Sequence, residues 1–337
     1  MEAASLKVTT GAAAGSVLTS DATGNATWKA KLANIIYVAK IGGDFQKIVD
    51  ALASITDATV TNPYLIRVAP GVYTEQVTMK EFVSIEGAGE GTTIIKYTGS
   101  ANYPSATDSS SATVIGASNA ELRSLTVQSD GTGKNYGTAI YNKGNSPTLS
   151  HLTITASGGA TNRGVYNDTS SSPPMNNLTI TASGGIESDG VSNNNNSSPA
   201  MNNLTITASG GTNNFGVYNA ISSPAMNNLT ITASGGTITT GENYGVSNNN
   251  NSSPPMNNLT ITASGGTYTY GVYNDINSSP TIYSSRIKGG TNSVFNNNST
   301  AKIANTMLNG AVSTGCTCIN AYDASFTTLP ANCIIAN

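Results

Sequence analysis

From residue 146 to residue 290 the chain repeats one pattern of apolar and polar positions. The unit is a proline, one apolar residue, two polar residues and then Leu-Thr-Ile-Thr-Ala-Ser-Gly-Gly. It reads SPTLSHLTITASGG at 146–159, PPMNNLTITASGG at 173–185, and PAMNNLTITASGG at 199–211 and 224–236. It returns as PPMNNLTITASGG at 254–266 and decays to SPTIYSSRIKGG at 279–290. The steps between Leu152, Leu178, Leu204, Leu229 and Leu259 are 26, 26, 25 and 30 residues. A fixed period of this size marks a solenoid, in which each repeat is one coil stacked on the next.

Within the period, Leu-Thr-Ile-Thr alternates apolar and polar, so Leu178 and Ile180 face one way while Thr179 and Thr181 face the other. A second short strand recurs as Gly-Val-Tyr/Ser-Asn, with Val165, Val191, Val217, Val246 and Val272 in a row that Ile140 and Val294 extend. The apolar residue after proline (Leu149, Met175, Met201, Met226, Met256 and Ile282) makes a third side. Three short strands per coil, separated by Gly, Asn, Ser and Pro turns, predict an all-β, single-stranded, right-handed parallel β-helix of triangular section. No coil offers the longer 3.6-residue periodicity that a helix needs. About ten coils at about 4.8 Å each would make a rod about 50 Å long.

The paired asparagines before each leucine, such as Asn176-Asn177 and Asn202-Asn203, fit a tight corner. Asparagine tolerates the left-handed conformation, and its amide can bond the same amide one coil above. His151 holds the equivalent place in its coil and is read as a variant of that ladder.

The ends differ from the middle. The expected layout is an attachment or oligomerisation segment at 1–32, a cap with a short helix at 33–60, the β-helix at 61–312 and a closing coil at 313–337. Asp44 is placed to cap a helix from Phe45 to about Ser54, with Ile48, Val49 and Leu52 on one face. Cys316, Cys318 and Cys333 all lie in the closing segment. An odd number excludes a full intrachain framework; either Cys316 or Cys318 can pair with Cys333, or the thiols stay free and buried.

Two stretches resemble known families. Gly-Asp-Phe at 43–45, the amphipathic segment after it, Ala-Pro-Gly-Val-Tyr at 69–73 and Gly-Ala-Gly at 87–89 resemble the first coils of pectin methylesterases and other pectate-lyase-like β-helix proteins. The segment LKVTTGAAAGSVLTSDATGNATWKA is similar to short modules upstream of phage tail-fibre domains and related trimeric surface proteins. The first resemblance implies the fold and a plug for the open first coil; the second implies a parallel homotrimer on a particle.

The resemblance does not extend to the catalytic residues. Pectin methylesterases carry aspartates, glutamines and an arginine on successive coils, and the place of the first glutamine motif reads GTAIYNKG at 137–144. The paired-aspartate and arginine–tryptophan motifs have no match either. Between residues 144 and 285 the sole basic residue is Arg163, and the acids include Asp168, Glu187, Asp189 and Glu242. That is too little for a pectate lyase's calcium cluster and basic residue. Glu187 and Glu242 occupy like turns two coils apart, roughly 10 Å by strand spacing. They are weak candidates for a glycosidase pair, whose carboxylates stand about 5–9.5 Å apart.

Two outward rows remain. Tyr141, Tyr166, Tyr218 and Tyr273, with Phe295 beyond, face out if valine faces in, and rings set among asparagines suit stacking on sugars. The row Thr179/Thr181, Thr205/Thr207 and Thr230/Thr232 forms an uncharged grid similar to the ice-binding face of some β-helical antifreeze proteins. Thr-x-Thr is also an ordinary outer strand surface.

Composition narrows the classes. Only 10% of residues are charged and the formal net charge is −3, with no basic patch for nucleic acid. No zinc spacing or phosphate loop is present, so no metal or cofactor is expected. No apolar stretch reaches signal-peptide or membrane length, which suits release on particles rather than membrane insertion. The resulting expectation is a structural, receptor- or glycan-binding rod of a tail fibre, a tailspike or a related surface assembly. It would be homotrimeric, virion-borne or extracellular, and directed at a cell-surface polysaccharide or receptor. The alternatives are a polysaccharide depolymerase with its carboxylates at a subunit boundary, and an ice-binding protein.

Overall fold

The structure, a computed structural model, describes residues 34–99, 108–236 and 241–334, together with the backbone of two short strands. Those strands, Ser16–Ser20 and Ala26–Ala30, pair antiparallel. The remainder of segment 1–32, and with it the expected attachment module, lies outside the described residues.

The chain is a right-handed parallel β-helix. Stacking begins with Asn34–Val38 on Tyr64–Val68 and continues in parallel register to Cys316–Ile319 and Tyr322–Asp323. Through the repeats the register is residue for residue: Leu152 on Leu178 on Leu204 on Leu229, and Val165 on Val191 on Val217 on Val246. The inward Leu, Ile, Val and Met columns of the repeats are at most 2% exposed, so the interior is a continuous dry stack. Ala156, Ala182, Ala208, Ala233 and Ala263 extend the inward alternation by one more position.

The coils have the three faces expected; the Met256 coil keeps them as Pro255–Asn257, Thr260–Ser264 and Tyr268–Asp275, whereas in other repeats two faces share one continuous strand. Met175–Ser183, Ala200–Ser209 and Ala225–Ser234 each run from the post-proline residue through Leu-Thr-Ile-Thr without a break. The corner inside each run is the second asparagine, which takes a left-handed backbone: φ is 55° at Asn177, 57° at Asn203 and 57° at Asn228. Because one left-handed residue turns the chain while the flanking residues keep their ladder bonds, the strand bends without ending. The asparagine side chains form the expected ladder: Asn203 Nδ2 donates to Asn177 Oδ1 at 3.2 Å, and Asn228 Nδ2 to Asn203 Oδ1 at 3.1 Å. His151, with φ 51°, joins it through Nε2, 3.3 Å from Asn177 Nδ2.

A second ladder runs inside the core. Asn142, Asn167, Asn193, Asn219, Asn248 and Asn274 are fully buried. Each Nδ2 donates to the Oδ1 of the next asparagine, ending on Asn296, at 2.8–2.9 Å throughout. The column ends where Asn296 Nδ2 meets the Thr314 carbonyl at 3.0 Å and Cys316 Sγ at 3.1 Å.

The other strand bends at a glycine. A Cβ on Gly216 would lie 2.2 Å from Ile231 Cγ2 and 2.5 Å from the Gly245 carbonyl oxygen, so only glycine lets this wall close on the core.

Two expectations at the ends are corrected or resolved. The cap helix is Ile48–Ser54, starts later than expected and is not capped by Asp44. Asp44 instead accepts a bond from the Tyr37 amide at 2.8 Å. Glu75, from the next coil, takes the Ile48 and Val49 amides at 3.0 and 2.9 Å, one on each carboxylate oxygen. A carboxylate facing two free amides of a first turn satisfies both and opposes the helix dipole. At the far end Cys318 pairs with Cys333, and Cys316 is a buried free thiol.

The buried ladder generates a prediction. Asn219→Ala leaves the Asn193 Nδ2 donor and the Asn248 Oδ1 acceptor unpaired in the core, which should cost about 2–5 kcal/mol in denaturant unfolding. Asn203→Gly, which keeps the left-handed corner and loses only exposed bonds, should cost less than about 1 kcal/mol.

Candidate functional site

The expected aromatic row exists as a column: Tyr141 on Tyr166 on Ser192 on Tyr218 on Ser247 on Tyr273 on Phe295. Its rings are less exposed than expected. Tyr141 is buried, and Tyr166, Tyr218, Tyr273 and Phe295 are half-buried. The reason is a second outward column three residues earlier in the same strand, which reads Arg163, Asp189, Phe215, Tyr244 and Tyr270. In a flat strand, residues three apart face opposite sides. The glycine bend between them turns both to the outside.

The second column was not recognised from the sequence, although its signal is there: FGV, YGV and YGV in three consecutive coils. Phe215, Tyr244 and Tyr270 are each 7% exposed, and Tyr244 stands in the coil where Ser247 replaces tyrosine in the first column. Ring centroids are 5.6 Å apart for Phe215–Tyr218, 4.8 Å for Tyr244–Tyr273 and 4.7 Å for Tyr270–Phe295. These are ordinary stacking and edge separations. Burial pushes the Tyr166 hydroxyl up to about 12, so it remains a hydrogen-bond donor at neutral pH.

Toward the amino-terminal side the second column becomes ionic. Arg163 binds Asp108 at 2.7 Å, Asp189 at 3.3 Å and Glu187 at 3.5 Å, and its guanidinium lies 4.5 Å from the Tyr166 ring centroid. Burial alone would lower the Arg163 pKa, but the surrounding carboxylates outweigh it and the net shift is upward. Asp189 is 2% exposed and its Oδ1 has no partner among the described residues. Burial, then repulsion from Glu187, push its pKa up to about 7 against the pull of Arg163.

Glu187 and Glu242 do share one column, with Asn213 between them. Two coil steps separate their backbones by about 10 Å. Glu187 is drawn toward Arg163, on the side away from Glu242, so the pair stands at or past the upper limit for two carboxylates flanking one glycosidic bond. Asp189, the third acid, is the one the sequence reading passed over as a site residue. Among the described residues, no three His, Cys, Asp or Glu side chains converge as a metal site.

These groups line a groove. One depression of about 550 Å³ lies among Arg163, Tyr166, Glu187, Asp189, Tyr218 and Glu242. A second of about 340 Å³ continues along Tyr218, Glu242, Tyr244, Tyr273 and Asp275. The two depressions share Phe215, Tyr218 and Glu242, so they form one groove across successive coils, lined by rings, amides and carboxylates. The threonine grid occupies another face: Thr179, Thr205 and Thr230 are exposed, while Thr181, Thr207 and Thr232 are half-buried, all in register.

No family model and no curated protein matches the sequence. Solved structures do. Pectin methylesterase from carrot is 16% identical, with 87% of this chain and 81% of that chain covered and a TM-score of 0.50. The catalytic domain of a GH87 α-1,3-glucanase is 13% identical, with 89% and 69% covered and a TM-score of 0.55. At these identities the likeness establishes the parallel β-helix and nothing about the groove.

Asp189 generates the prediction here. Its folded pKa lies above the roughly 3.9 of an unfolded aspartate, so the native state binds the extra proton. Its contribution to stability is present below about pH 4 and is lost as pH rises toward about 7. Asp189→Asn, which cannot titrate, should therefore gain stability relative to the parent chain across that window, read as the difference in denaturation midpoint at each pH.

Proposed function

We propose that this chain is a glycan-binding β-helical rod of a tail-fibre or related surface assembly, in which the aromatic groove holds an extended polysaccharide. The paired columns of rings carry this reading. The half-buried Tyr218, Tyr273 and Phe295 offer ring surface over three coil steps, a span long enough for several sugars, and the buried Phe215, Tyr244 and Tyr270 hold them in place. Sugar C–H faces stack on such rings, and the neighbouring carboxylates and asparagine amides accept and donate to hydroxyls. Binding without cleavage is favoured because Glu187 faces Arg163, on the side away from Glu242, and the two backbones stand about 10 Å apart, at the upper limit for a pair acting on one bond.

Three parallel copies pack through the threonine face, which is flat, uncharged and in register. The low charge of the repeats suits a durable shaft, and the segment before residue 33 supplies its attachment to the particle.

Tyr218→Ala and Tyr273→Ala should each weaken retention on the bound polysaccharide about five- to tenfold in affinity electrophoresis. Unchanged retention in both variants would remove the groove from the binding site. Light scattering should give about three times the 34.3 kDa chain mass, and Thr205→Arg combined with Thr230→Arg should reduce it to one. A monomeric parent chain would refute the trimer.

A further inference from the structure

The groove is acidic along its length. Among the described residues its single lining cation is Arg163, which already faces three carboxylates, Asp108, Glu187 and Asp189. Glu242 lies where the two depressions meet and lines both. Its column neighbours are Asn213 and Tyr268, and neither carries positive charge. Asp275, at the far end, accepts an amide bond from Asn297 at 2.9 Å. At the floor, the buried Asp189 Oδ1 has no partner among the described residues and remains a polar atom in need of a hydrogen bond.

A ligand lying on the rings therefore meets carboxylates and amides and no available cation. A sugar bearing its own carboxylate or sulfate would bring like charge against Glu242 in a half-desolvated groove, where charges interact more strongly than in water. A sugar bearing an ammonium group would meet a charge-assisted acceptor there and a ring face beside it, and aromatic faces attract cations.

Resting on the glycan-binding reading, we propose that the groove selects amino-sugar polymers with free ammonium groups and rejects uronate-type polysaccharides, with an ammonium seated at Glu242 and the sugar rings on Tyr218 and Tyr273.

Isothermal titration in mildly acidic buffer tests this with three oligomers of equal length: chitosan, its N-acetylated chitin counterpart and oligogalacturonate. The chitosan oligomer should bind about fivefold more tightly than the chitin oligomer, and oligogalacturonate about tenfold more weakly than either. Glu242→Gln should bring the chitosan oligomer down to the affinity of the chitin oligomer, and Tyr218→Ala should weaken both. Oligogalacturonate binding as tightly as chitosan would overturn the proposal and leave glycan binding intact. A chitosan preference that survives Glu242→Gln and Tyr218→Ala would also overturn it, as diffuse attraction to a chain of net charge −3. If none of the three oligomers binds the folded parent chain, both this proposal and the glycan-binding reading fall.

Discussion

The asparagine column inside the core is the constraint on which the rest of the molecule depends. A primary amide sealed among Leu, Ile and Val side chains costs free energy unless its donor and acceptor are met. Here the donors from Asn142 to Asn274 are each met by the acceptor of the same residue in the next coil, and among the described residues of the column only the Asn142 Oδ1 that opens it is left without a partner. A coil slipped by one residue would turn every buried amide outward and every outer residue inward. The hydrocarbon columns supply most of the burial, but they tolerate small shifts. The amide column does not, so it sets the register from one coil to the next.

Once the register is set, the exterior follows. Residues of one kind at one repeat position become a line on the surface, whether threonine, asparagine or tyrosine. The exposed asparagine ladder runs its bonds in the opposite sense to the buried one, from each coil back to the preceding coil. The two amide stacks therefore do not add their dipoles along the rod. The glycine column turns this alignment into a groove. Because Gly190, Gly216 and Gly245 let the wall press against isoleucine methyl groups, residues three apart project to the same side. Two columns of rings then stand where a flat strand would present one.

Along this groove, sequence variation within an invariant frame produces the chemistry. The position before the glycine is Arg163 and Asp189 in two coils and an aromatic ring in the next three. The frame that fixes Val165 on Val191 on Val217 also fixes a guanidinium beside carboxylates at one end and rings on rings at the other. Asp189 is held in an environment that an isolated aspartate would avoid, with one oxygen on Arg163 and the other unpartnered. A rigid solenoid can sustain such a group because the register that imposes it is supported over many coils.

The sequence by itself determined the solenoid, its period, the inward columns, the asparagine corner and the alignment of Tyr141 to Tyr273. All of these follow from repetition and from the two-residue period of a strand, which are local properties. It also placed Glu187 and Glu242 in one column. The tertiary structure alone decided how exposed the rings are, that Phe215, Tyr244 and Tyr270 join them, and that Asp189 and Asp108 gather on Arg163. Asp108 lies 55 residues from Arg163 and belongs to no repeat, so no periodicity points to it. The inward asparagine stands two residues after each valine and so on the same side by strand alternation, but a polar residue reads as a strand end until its bonds to the next coil are seen. Glu75 as the helix cap and Cys318 as the partner of Cys333 likewise depend on which coil ends meet in space, where strand alternation carries no information.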